Sequence, residues 1–302
     1  TRSIDLHLDA LKKMGVKIKI LNGYVVASRS GKSLTAINHR FPKISVGATQ
    51  NIIMASTLAS GTTVLKNCAI EPEVIDLINF LNKCGSKITV NKRVIKIAGK
   101  ENLELSNHEI IPDRIEAGSY ILATMATKGK LQIKNFLIEH LQEPINLFKK
   151  MGLKVKKINT NEYLFSCSRI KPINLIETKE YPGFPTDLQA QLISIFLKNG
   201  KKSKIKENIF ENRFIHVPEL RRFGADIVLK NNTVTIDKVS ELNGAEVMAT
   251  DLRGSFSLII AALLSKGETI ISRIYHLDRG YEDFDLKLKD FKVVSKIKPT
   301  QK

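Results

Sequence analysis

The chain has no tryptophan, and aromatic residues make up 6% of its 302 residues. Acidic residues are also in deficit, 30 Asp and Glu against 48 Lys and Arg, which gives a net charge of +18. Nucleic-acid surfaces combine a clustered basic stripe with stacking aromatics. Here the lysines are spread along the chain and most phenylalanines sit in apolar-periodic runs, so the charge suits an anionic substrate better than a nucleic acid. The three cysteines, Cys68, Cys84 and Cys167, are widely spaced, with no CxxC pair and no histidine neighbour. That excludes a disulfide framework or a zinc site and fits a reducing cytoplasm, with the thiols simply buried. No apolar run is long enough to span a membrane, and the first residues lack the basic-then-apolar pattern of a signal peptide.

What the chain has is a repeat. LKKMGVKIKILNGYVVA, LNKCGSKITVNKRVIKIAG, FKKMGLKVKKINTNEYLFS and LRRFGADIVLKNNTVTID each read as a helix end, a glycine and an alternating strand. Their glycines, Gly15, Gly85, Gly152 and Gly224, recur at a period of about 70 residues. A second series, Gly61, Gly129, Gly200 and Gly267, keeps the same step after four apolar helices and is expected at their left-handed ends. The unit is therefore β-α-β-α-β-β. Its first helix is apolar nearly all round and should be buried, and its second is amphipathic. LNGYV and NNTVT supply hairpin turns. TRSIDLHLDALKKMG aligns with ENRFIHVPELRRFG, the second half of a unit, so the sequence is expected to begin mid-repeat.

Residues that break the pattern are the candidates for chemistry. Arg2, Arg213 and Arg279 stand in the loop before the second helix of three units. Guanidinium forks bind carboxylate or phosphate bidentately, so their convergence would make a site for a small, multiply charged anion. Surface pairing with Glu211, Asp278 and Glu282 is the other reading. Before the buried helices stand SVGATQN, PDRIEAGSY, YPGFPTDLQAQ and ATDLRGSFS. The first opens a helix on small residues, with Lys43 nearby, as a phosphate site does and as an ordinary cap also does. In the third, two prolines and a glycine fix Asp187, either as a held general base or as a helix cap. Asp251 has the same two readings one unit later.

PDRIEAGSY, YPGFPTDLQAQ, ENIFENRFIHVPELRRFGA, DLRGSFSLIIAALLSKGET and SRIYHLDRGYEDFDLKL together resemble the UDP-N-acetylglucosamine 1-carboxyvinyltransferase family of enolpyruvyl transferases. The resemblance runs from Arg2 to about Leu288. It implies an α+β fold, a two-domain inside-out α/β barrel of repeated β-α-β-α-β-β units with pseudo-threefold symmetry and an active site between the domains. Residues 1–111 would be the remainder of the UDP-sugar-side domain, its N-terminal part missing, and 112–302 a C-terminal domain of three units.

By the same resemblance, Arg2, Ser3, Ile4, Asp5 and Leu6 hold the uracil end and diphosphate, and Lys43, Ile44, Ser45 and Val46 form the diphosphate loop. Asp187 lies near the sugar 3-hydroxyl, Ile209 makes a backbone contact to the sugar nucleotide, and Arg213 and Arg279 grip phosphoenolpyruvate. The implied reaction adds the 3-hydroxyl of UDP-N-acetylglucosamine to C2 of phosphoenolpyruvate and expels phosphate, committing the sugar to peptidoglycan. It needs no cofactor, metal, nucleic acid or membrane and is expected of a cytoplasmic monomer. The family's loop cysteine and its lysine–asparagine pair precede the RSIDL segment and so fall outside these residues, which implies a truncated, inactive chain. The competing readings are a shikimate-pathway enolpyruvyl transferase on the same fold and a basic nucleic-acid-binding repeat protein.

Overall fold

The computed structural model describes residues 4–29, 31, 33–199, 202–237 and 239–289. The chain divides into two compact units, Thr1–Ile111 and Pro112–Lys302. Arg2, Ser3 and Gly200 lie outside the described residues.

The first unit begins with α1 (Asp5–Lys13) and the hairpin β1 (Val16–Leu21) and β2 (Tyr24–Arg29). Asn22 and Gly23 both take positive φ (50° and 80°), the twist that a two-residue hairpin turn requires. One whole repeat follows: β3 (Asn38–Arg40), α2 (Val46–Ser56), β4 (Thr62–Lys66), α3 (Pro72–Lys83), β5 (Lys87–Asn91) and β6 (Val94–Ala98). Its sheet runs β3-β4-β6-β5, with β3 parallel to β4 and both other pairs antiparallel. Pro72 starts α3 where the missing N–H costs nothing. Phe41, Ile52, Ile53, Leu65 and Ile97 form the core of this unit.

The second unit opens with α4 (Arg114–Thr127), β7 (Lys130–Ile133), α5 (Gln142–Met151), β8 (Lys154–Asn159) and β9 (Glu162–Ser166). The next repeat is β10 (Leu175–Glu177), α6 (Gln189–Asn199), β11 (Ser203–Lys206), α7 (Val217–Arg222), β12 (Asp226–Lys230) and β13 (Thr233–Asp237). Its sheet order, β10-β11-β13-β12, repeats that of the first unit. The described chain ends with β14 (Glu246–Met248), α8 (Leu252–Leu264), β15 (Ile270–Ser272), α9 (Tyr275–Asp278) and α10 (Phe284–Lys289). Helices α4, α6 and α8 pack on one another at the centre, enclosing Phe196, Phe256, Leu192 and Ile121.

The repeat is therefore real, but less regular than the spacing suggests. Among the described residues all six elements occur in two units, one on each side of residue 112. Of the three units expected after residue 112, the first lacks its opening strand, because residues 101–111 run along the first unit instead. There the Glu104 N–H donates to the Cys84 carbonyl (2.9 Å), and His108 Nε2 lies 3.0 Å from Asp76. The hairpin expected of the last falls after residue 289, outside the described residues.

The two glycine series also differ. Gly15, Gly85, Gly152 and Gly224 all take the left-handed backbone that ends a helix. In the other series, Lys128 rather than Gly129 is left-handed at the end of α4, and Gly61 and Gly267 lie in turns beyond α2 and α8. Burial of the first helix holds for α4 and α8 but only partly for α2, where Met54 is 49% exposed. All three cysteines are buried and unpaired, as their spacing suggested.

Candidate functional site

Asp187 lies in a single 3-10 turn, Thr186–Leu188, that leads into α6. The turn before it is tight: the Lys179 N–H donates to the Phe184 carbonyl (2.9 Å) and the Gly183 N–H to the Glu180 carbonyl (2.8 Å). A side chain at Gly183 would come within 2.5 Å of Lys179 Cβ, so glycine alone closes the loop. Among the described residues the Asp187 carboxylate accepts no helix-capping N–H. Its Oδ1 accepts from the Arg213 guanidinium, and its Oδ2 lies 3.7 Å from Arg253. Both arginine side chains are mostly withdrawn from solvent, whereas Asp187 keeps 37% of its exposure.

Glu207 ties the Asp187 and Arg213 loops together. Its carboxylate is buried and accepts from the Thr178 hydroxyl (2.9 Å), the Thr186 hydroxyl (2.8 Å), and the Ile209 and Phe210 N–H groups (2.7 and 3.0 Å). Four donors satisfy a buried carboxylate that would otherwise be costly. The Ile209 N–H is thus committed, which leaves its carbonyl as the backbone group for any ligand. Arg213 also lies over the Phe210 ring, 4.9 Å from its centre, and its own carbonyl accepts from Gln189 Nε2 (3.3 Å).

Arg253 enters from the first turn of α8. That helix is capped by Asp251, whose Oδ1 accepts from the Arg253 and Gly254 N–H groups (2.8 and 2.7 Å), so Asp251 is the cap and Asp187 is not. The guanidinium of Arg253 reaches the Tyr281 hydroxyl at 3.4 Å. Burial opposes its charge, but the neighbouring Tyr281 and Asp187 more than offset this and hold it protonated. His216, fully buried beside Arg213 and Asp251, is pushed down to about 4 by burial; Asp251 opposes that shift and Arg213 adds to it. It is a neutral imidazole at neutral pH.

Arg279 is less engaged. It ends α9 and is exposed, and the second guanidinium at Asp187 is Arg253. Its loop does run along the first turn of α8, since a side chain at Gly280 would meet Leu252 Cδ2 at 2.9 Å.

In the first unit, Ile4 precedes α1, and Asp5 and Leu6 form its first turn. Ser45 caps α2, its hydroxyl accepting from the Ala48 N–H (3.3 Å). Lys43 is exposed, and Ile44 and Val46 are half-buried. His7 joins the two segments: its ring lies 3.0 Å from Asn51 Nδ2, and a side chain at Gly47 would meet it at 3.6 Å. The structure thus sets the start of α1 beside the start of α2, a place where N–H groups and dipoles favour an anion.

The family model for EPSP synthase (3-phosphoshikimate 1-carboxyvinyltransferase) matches residues 1–288. The UDP-N-acetylglucosamine 1-carboxyvinyltransferase of Pelagibacter ubique is 52% identical over 300 residues, 99% of this chain and 71% of that protein. The chain belongs to the UDP-N-acetylglucosamine 1-carboxyvinyltransferase family. A second member, from Endomicrobium trichonymphae, is 46% identical over 95% of this chain and 69% of its own length. Among solved structures, the enolpyruvyl transferase NikO from Streptomyces tendae superposes with a TM-score of 0.84 at 24% identity. It covers 95% of this chain and 70% of the NikO chain, and supports an α+β enolpyruvyl transferase fold. With membership established, Arg253, Glu207 and Tyr281 are the additions that geometry makes to the residues picked out by sequence. Local pattern does not mark Arg253, Glu207 or Tyr281, which sit in the first turn of a helix, after a strand and in a loop.

Proposed function

We propose that the protein transfers the carboxyvinyl group of phosphoenolpyruvate to the 3-hydroxyl of UDP-N-acetylglucosamine, the committing step of peptidoglycan precursor synthesis. In this reading the bond from the sugar 3-oxygen to C2 of the donor forms while C3 takes a proton. The C2–O bond to phosphate then breaks as C3 gives a proton up. The observation that carries the reading is the Asp187 carboxylate held between the Arg213 and Arg253 guanidiniums. A carboxylate is the base that the 3-hydroxyl needs, and two guanidiniums suit a donor bearing both carboxylate and phosphate. An anion arriving at them competes with Asp187 for their N–H groups and frees a carboxylate oxygen for the hydroxyl proton. Arg279 joins them as a third cation, and Ile209 contributes its carbonyl to the sugar nucleotide.

In the first unit, Arg2, Ser3, Ile4, Asp5 and Leu6 with Lys43, Ile44, Ser45 and Val46 take the diphosphate and uracil. The adjacent helix starts there support this. Residues 1–111 then belong to the sugar-nucleotide domain and 112–302 to a second domain of repeated units, in an inside-out barrel with pseudo-threefold symmetry. The two sheets of identical strand order support that scheme. The enzyme acts in the cytoplasm as a monomer without a cofactor. Phosphate release from phosphoenolpyruvate by the protein at its full encoded length tests the reading. Release must depend on UDP-N-acetylglucosamine, and release that depends on shikimate 3-phosphate instead would overturn it.

A further inference from the structure

At the centre of the second unit a small polar cluster is enclosed by apolar helices. Ser119 of α4 and Gln191 of α6 are fully buried, and Tyr281 is 1% exposed. The Tyr281 ring stacks on Phe256 (centres 4.6 Å apart) and meets Tyr120 edge-on. Such a cluster is expensive to bury, so the direction of each hydrogen bond matters.

The directions follow from counting protons. Ser119 has one hydroxyl proton, and it goes to the Ile115 carbonyl one turn back (2.8 Å). The contact between Ser119 Oγ and Tyr281 Oη at 2.9 Å must therefore use the Tyr281 proton. Tyr281 Oη is then left as an acceptor only. It receives Gln191 Nε2 at 3.3 Å, and Gln191 also donates to Ser119 Oγ at 2.9 Å. The remaining donor in reach is Arg253 Nη1 at 3.4 Å, while the other terminal nitrogen of the same guanidinium faces Asp187. The guanidinium also lies over the tyrosine ring, 5.7 Å from its centre.

We propose that Tyr281 is a positioning residue: with its proton fixed on Ser119, its hydroxyl oxygen holds one end of Arg253 so that the other end faces Asp187 and the anionic donor. This rests on the reading of the Asp187 site given above. Phenylalanine at 281 would keep the ring on Phe256 and release that end of the guanidinium.

The test compares kinetics of the full-length protein and its variants in UDP-N-acetylglucosamine-dependent phosphate release. Tyr281→Phe should raise KM for phosphoenolpyruvate about tenfold and leave KM for the sugar nucleotide within about twofold, since the lost contact serves one substrate. Ser194→Ala is the structural control. It removes another buried hydroxyl, that of Ser194 in α6, which donates to the Ser257 carbonyl (2.8 Å) rather than to Arg253 or Tyr281, and should lower Tm without separating the two KM values. In an Arg253→Lys background the Tyr281→Phe effect should vanish, because a residue acting through Arg253 has nothing left to position. If Tyr281→Phe does not fold, Ser119→Ala takes its place and should raise the donor KM about two- to threefold. An unchanged donor KM, equal rises for both substrates, or full additivity with Arg253→Lys would overturn the proposal. Absence of any sugar-nucleotide-dependent release by the unmodified protein would instead overturn the function itself.

Discussion

Asp187 and Arg213 stand 26 residues apart in sequence and are joined side chain to side chain, with Arg253 on the other carboxylate oxygen. The pairing keeps Asp187 in one orientation without using it up. A base placed this way matters most when the hydroxyl gives up its proton. Asp187→Asn keeps the shape and can still accept from one arginine, but it cannot take the proton. Turnover should fall by about 10²–10⁴-fold. Binding of UDP-N-acetylglucosamine, measured by calorimetry, should stay within a few-fold, and unchanged turnover would remove Asp187 from the chemistry.

His216 gives a pH prediction. Its folded value, about 4, lies below the ordinary histidine value because burial disfavours the charged ring. As pH falls from about 6.5 towards 4, the unfolded chain takes up a proton that the folded chain refuses, so stability is lost across that window. The full loss is about 3 kcal/mol. His216→Gln cannot titrate, so its urea midpoint should move less between pH 7 and pH 4.5 than that of the unmodified protein. Equal shifts in both would mean that His216 is protonated in the fold.

Much of this was legible in sequence, for reasons that can be named. The left-handed end of a helix leaves a direct imprint, which is why Gly15, Gly85, Gly152 and Gly224 give the period. Asp187 was visible because prolines and glycine surround it. Arg253 was not, because an arginine two residues into a helix reads as an ordinary surface residue. Glu207 follows a lysine-rich strand and reads as exposed, yet it is buried under four donors. Their roles depend on loops meeting from distant parts of the chain, which local pattern does not encode. The second guanidinium paired with Asp187 is that of Arg253 rather than Arg279, a choice that depends on side-chain direction and not on loop equivalence.

Two glycines of the same series should answer differently to the same change. Gly152 has φ 114°, and an added Cβ would meet the Arg169 carbonyl oxygen at 2.3 Å. Gly224 has φ 85° with nothing within 4 Å. Gly224→Ala should cost about 1 kcal/mol, the conformational penalty alone. Gly152→Ala should cost distinctly more, roughly 2–4 kcal/mol, because backbone must also move. Thermal unfolding of both variants checks this, and equal losses would contradict the close approach of residues 152 and 169.

The central claim is that the second unit's paired guanidiniums and carboxylate serve carboxyvinyl transfer to UDP-N-acetylglucosamine. Its most direct test is phosphate release from phosphoenolpyruvate by the full-length protein, assayed with UDP-N-acetylglucosamine, with shikimate 3-phosphate and with neither. Release with the sugar nucleotide alone, lost in Asp187→Asn, is the predicted result. Release with shikimate 3-phosphate, or release from UDP-N-acetylglucosamine that is indifferent to Asp187→Asn, would contradict it.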